Sequence, residues 1–142
     1  MKSKRPICIA MLLLFAVAGC KLTSSSPTAT FKAYFEAQRK KDIPAIKKTL
    51  SKSSLEMMEK AAKEQNKTVD KALTEGLEAP GANTEKTPET RNEKIDGNNG
   101  TLEVQNEQTK KWDTVYFVKE DSEWKIALDK TIEEMFKGLA AP

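Results

Sequence analysis

Histidine is absent from the 142-residue chain, cysteine occurs twice, and aromatic residues make up only 6% of it. Each shortage removes a kind of chemistry. Without imidazole there is no Asp–His dyad, no histidine-activated nucleophile and no histidine metal site. Both thiols, Cys8 and Cys20, fall at the N-terminus, so the rest of the chain can form no disulfide. The six glycines are scattered and build no phosphate-cradling loop. The carboxylates nowhere take calcium-loop spacing. Tyr34 and Tyr116 are the only phenols. The single long apolar run, residues 7–18, falls short of the roughly 20 residues that span a bilayer.

What that run does carry is an address. Lys2, Lys4 and Arg5 precede it, and Gly19-Cys20 and a polar Lys-Leu-Thr-Ser-Ser-Ser-Pro stretch follow. A cationic head, a short apolar centre and small residues before a cut site make a secretory signal. Val17-Ala18-Gly19-Cys20 resembles the bacterial lipobox, in which the cysteine takes a diacylglyceryl thioether and becomes the mature N-terminus. The expectation is therefore residues 1–19 as a lipoprotein signal peptide, with Cys20 lipidated. Two or three acyl chains (palmitate among them) anchor stably where one holds marginally. In cells with two membranes, Lys21 rather than aspartate after the cysteine favours the periplasmic face of the outer membrane. The alternative is ordinary cleavage with Cys20 left as a thiol.

Removing 19 residues leaves 123, enough for one core, and takes three of 24 basic groups, leaving 21 of each sign. A balanced chain is a poor candidate for a dedicated nucleic-acid binder, which usually carries a basic excess. Residues 20–27 read as the lipidated cysteine and its tether, residues 28–137 as the domain, and residues 138–142 as a tail. Ser26-Pro27 starts a helix well, with a capping hydroxyl and proline in the first turn. Phe31, Tyr34, Phe35 and Gln38 then fall on one face. Asp42 caps a short helix with Ile43, Ile46 and Leu50. Ser53 and Glu56 form a capping box for a third helix with Leu55, Met58, Ala61 and Ala62 on one side. Thr68 caps a fourth, ended by Gly76.

Residues 76–90 lose all period and read as a loop. Strands follow. Residues 89–95 form a polar edge closed by the Asp96-Gly97 turn, and residues 101–106 place Leu102 and Val104 on one face. Residues 112–119, bulky on both faces, read as an inner strand. After Glu120-Asp121-Ser122, Trp124 and Ile126 alternate, and an amphipathic helix over 129–137 carries Ile132, Met135 and Phe136. Helices followed by an antiparallel meander make the fold α+β.

The segments FKAYFEAQRKKDIPAIKKTL and VYFVKEDSEWKIAL, with the Asp96-Gly97 turn between them, resemble the nuclear-transport-factor-two-like (cystatin-like) superfamily, in its branch of small bacterial lipoproteins. The resemblance covers about residues 28–129. It implies a curved antiparallel sheet wrapped round the first helix as a cone, with Trp124 beneath the sheet and a pocket at the wide end. Phe31, Tyr34, Phe35, Trp112 and Tyr116 are the candidate lining. It also implies a candidate homodimer through the open sheet face. An isomerase-like pairing of an aspartate base with a tyrosine donor stays conceivable, but Asp113 and Tyr116 fall on opposite strand faces. No catalytic, metal or cofactor residue is expected. The expectation is a lipid-anchored envelope protein binding a small apolar ligand or another envelope protein; the alternative is a pocket enzyme of isomerase or hydrolase type.

Overall fold

A computed structural model describes residues 26–80 and 86–140, with side chains to Gly138. The signal segment, Cys20 and most of the tether lie outside the described residues.

Helix α1 (Pro27–Arg39) begins where the capping chemistry places it: Ser26 Oγ accepts from Ala29 N at 3.1 Å, and Pro27 fills the first position. Asp42 caps α2 (Ile43–Thr49) by accepting from Ala45 N, and Thr68 caps α4 (Val69–Glu78) by accepting from Lys71 N. Helix α3 (Lys52–Glu64) differs from the sequence reading, because its cap is Ser51 rather than Ser53. The reason is tertiary. Ser51 N donates to Ile126 O at 2.9 Å, and Ser51 and Ser54 are fully buried with their hydroxyls 2.6 Å apart, so the helix starts where it docks on the sheet. Ala62 is buried and Ala61 exposed, which narrows the inward face of α3. Helix α4 likewise runs past Gly76. Leu77 is buried against the core, and that burial outweighs the roughly 1 kcal/mol a helical glycine costs.

Four antiparallel strands follow in the order β1-β2-β3-β4: β1 (Thr90–Asp96), β2 (Asn99–Gln105), β3 (Trp112–Glu120) and β4 (Glu123–Ile126). The β1–β2 turn has two central residues, with Gly97 at φ +56°, and the β3–β4 turn sets Asp121 and Ser122 both at positive φ. These are the left-handed conformations that two-residue hairpins demand. Strand β3 is interior, as its bulky residues on both faces led us to expect, and β1 is a polar edge with a bulge between Arg91 and Lys94. Helix α5 (Leu128–Ala140) closes the chain and reaches three residues beyond the expected end.

The class is therefore α+β, helices first and a meander after, with a terminal helix. The register pairs Gly100 with Phe117 and Phe117 with Ile126, putting Leu102, Phe117 and Ile126 on the face that α1 covers. There they meet Phe31, Ile46, Leu50 and Trp124 in one core. Each such side chain contributes roughly 1.5–3 kcal/mol by leaving water. Trp124 is 4% exposed, and its carbonyl accepts from the buried hydroxyl of Thr30 at 3.1 Å, fastening α1 to β4.

Candidate functional site

The helix face of the sheet is not wholly filled. Toward the far end of α1, Phe31 and Phe35 stand over Val104 and Val115, leaving an open cleft of about 400 Å³. Its rim is Pro88 and the β2–β3 hairpin from Gln105 to Gln108, which brings the Glu107 carboxylate, and a second carboxylate, Asp113, faces it from β3. The two phenyl rings lie 5.6 Å apart and tilted by 39°, an ordinary edge-leaning pair. The cleft arises from local geometry. Val104 pairs with Asp113 and Leu102 with Val115, so β2 and β3 present small or short side chains where α1 passes. An apolar cleft of this volume with a few polar groups at its mouth suits a small, largely apolar ligand.

Phe31 and Phe35 are thus brought together by the fold. Three other residues with which the sequence reading grouped them go elsewhere. Tyr34 packs on the core, and its hydroxyl accepts from Gln38 Nε2 at 2.9 Å. Burial pushes its phenol above the usual tyrosine range, with the Gln38 contact partly opposing. Trp112 lies on the opposite sheet face, where the Arg91 guanidinium stacks 3.9 Å from the ring centroid. Arg91 Nε also donates to Glu103 at 2.6 Å, and Asn92 Nδ2 donates to the same oxygen at 3.0 Å. Those two bonds hold the Glu103 carboxyl below the usual carboxylate range. Tyr116 shares that outer face, opposite Thr101, and lines a smaller hollow of about 250 Å³ with Lys94, Thr101 and Lys130. Asp113 and Tyr116 therefore face opposite sides of β3, and no Asp–Tyr pair meets in the cleft.

Val104, Val115 and Asp113 are the cleft residues that the aromatic pattern missed. The alternation of β2 and β3 was their signal, but it became useful only once the strand face under α1 was known.

A third depression, about 490 Å³, runs between α2, α3 and α4 and carries three lysines. Each is taken by a carboxylate: Lys47 by Asp70 at 2.7 Å, Lys63 by Glu59 at 2.9 Å, and Lys67 by Glu75. The hydrogen bonds from Lys63 and Lys67 hold Glu59 and Glu75 below the usual carboxylate range. The trench is electrically self-satisfied. Among the described residues no group of three or more His, Cys, Asp or Glu side chains could hold a metal, and no helix is long and apolar enough to cross a membrane.

Set against family models, curated proteins and solved structures, the chain matches none of them.

Proposed function

We propose that this chain is a lipid-anchored bacterial envelope protein, held through diacylglyceryl-Cys20, whose α+β domain binds a small apolar ligand without catalysis. The observation that carries the binding half is the cleft between α1 and the sheet, walled by Phe31, Phe35, Val104 and Val115. Its acidic side chains are Asp113 on β3 and Glu107 on the hairpin rim, and neither phenol is among the lining. Carboxylates at the mouth of an open apolar cleft orient a ligand; the tyrosine donor that an isomerase-like pairing needs lies elsewhere. The anchor half rests on the sequence, where a charged head, a short apolar centre and the small residues before Cys20 stand in register. Lys21 favours the outer membrane where the cell has two. The succession of helices and then a meander around α1 supports kinship with the nuclear-transport-factor-two-like cone.

Native mass spectrometry of the chain from residue 21 onward, purified gently from cells, tests the cleft. A retained apolar molecule that is lost from Val115→Trp, with folding intact, is the expected result. A bare mass in both proteins, together with no uptake of an added fatty acid or apolar dye, sinks the ligand reading.

A further inference from the structure

Helix α5 is fixed only at its base. Asp129 takes a hydrogen bond from Ser53 Oγ at 3.1 Å and lies 3.0 Å from Ser54 Oγ, and Thr131 Oγ1 accepts from Tyr116 N at 3.1 Å. From Ile132 to Gly138 every residue is exposed. Yet the helix is strongly two-sided. Ile132, Met135 and Phe136, at 41%, 57% and 66% exposure, share one stripe, while Lys137 bridges Glu133 and Glu134 on the other side. Two free turns are marginal in water without something to cover the apolar stripe.

The position of that stripe identifies the cover. Pro27, where the tether enters α1, packs on Gly100, and Thr28 N and Oγ1 both donate to Glu93 of β1. Beside Gly100, Asn99 Oδ1 accepts from Lys130 Nζ of α5 at 3.0 Å. Tether origin and helix base therefore come to neighbouring residues at the start of β2, one from each face of the sheet. Ile95, the fourth large apolar side chain exposed among the described residues, is paired with Gly100 at this same place. Six residue steps separate Ser26 from Cys20, a reach of at most about 21 Å. Phe136 lies six residues along the helix from Lys130, about 9 Å. A bilayer holding residue 20 is within reach of the stripe.

We infer that α5 is a second membrane contact, with Ile132, Met135 and Phe136 entering the interfacial layer of the bilayer that holds Cys20. This rests on the anchor reading. The helix carries Asp129, Glu133 and Glu134 against Lys130 and Lys137, so attraction to anionic headgroups does not drive entry. Apolar burial does, and the contact persists on zwitterionic lipid at high salt.

If Cys20 is acylated and Cys8 removed, the mature lipoprotein has no free thiol. Phe136→Cys then gives a unique site for an environment-sensitive dye in phosphatidylcholine proteoliposomes. Lys111→Cys, exposed on the β2–β3 hairpin and outside the cleft lining, serves as the water-exposed reference. We expect blue-shifted emission at residue 136 that nitroxide-labelled lipid quenches, unchanged in high salt, and the same at Ile132→Cys. Residue 111 stays water-like and unquenched. Emission at 136 equal to that at 111, with the wild type refusing the dye, overturns the second contact and leaves the anchor standing. Blue emission that lipid nitroxide does not quench and that rises with protein density would assign the stripe to a second copy instead. Dye uptake by the wild-type protein shows a free Cys20 and removes the anchor, and this inference with it.

Discussion

Gly100 shows how little room the α1–sheet junction leaves. A Cβ there would come 2.9 Å from Pro27 Cγ and 3.1 Å from Trp124 Cζ3, closer than packed carbons tolerate. Neither neighbour can yield, since proline is rigid and Trp124 is locked in the core. Gly100→Ala should therefore cost about 1–3 kcal/mol by overpacking, read as a lower denaturant midpoint with an unchanged slope. Tyr34 makes a different kind of residue-level statement. Its phenol pKa is raised in the folded chain, chiefly by burial, so folding favours the protonated form. The contribution is complete below the unfolded value of about 10 and is lost as pH rises through the folded pKa. Tyr34→Phe should lose about 0.5–1.5 kcal/mol at neutral pH with the Gln38 bond. Above pH 10 the gap between variant and wild type should narrow. Every other group is common to both proteins, so the difference between two urea-melt series isolates this one.

Among the elements, the junction of α3, β4 and α5 is joined by one hydroxyl. Ser54 Oγ accepts from Leu128 N at 2.8 Å and lies within hydrogen-bond distance of Ile126 O, Asp129 Oδ1 and Ser51 Oγ, to one of which its single proton goes. Ser54→Ala leaves the Leu128 N–H without that acceptor and should cost about 1–3 kcal/mol. Amide exchange should quicken first in the base of α5. This junction also marks where sequence reasoning reached its limit. The helices and strands themselves were legible, because Phe31 and Phe35 keep a helical period and Trp124 and Ile126 a strand period. The start of α3 was not: Ser51 and Ser53 are both good caps, and only the docking of Ser51 on Ile126, 75 residues away, chooses between them. The cleft was half legible for a similar reason. Parity separates Trp112 and Tyr116 from Asp113 and Val115, yet nothing local says which set faces α1. The register does, by setting Leu102 and Phe117 under the helix, and the large outer-face aromatics drop out of the candidate lining.

At the scale of the whole molecule, the two ends of β2 have different business. Residues 99 and 100 meet the tether origin and the base of α5, whereas Val104 to Gln108 border the cleft. Five or six residues of strand at about 3.3 Å each set these ends roughly 15–20 Å apart. On the proposed anchoring, the bilayer lies at the first end, so the cleft opens at the far end, towards the aqueous side. On the proposed function a ligand would then enter from water or from a protein partner rather than directly out of the lipid beneath the domain. This orientation has a measurable consequence. An apolar probe that binds the chain from residue 21 onward should bind the lipidated protein in vesicles with the same dissociation constant, once partition of the probe into lipid is subtracted. Val115→Trp should abolish binding in both settings, because the indole fills the space between Val104 and Phe35. If the cleft faced lipid instead, anchoring would cover its mouth, and the vesicle-bound protein would lose the probe while the free chain kept it. The comparison needs a protein whose acylation is known, and intact mass supplies that: wild type should carry the diacylglyceryl addition at Cys20, and Cys20→Ser should carry none.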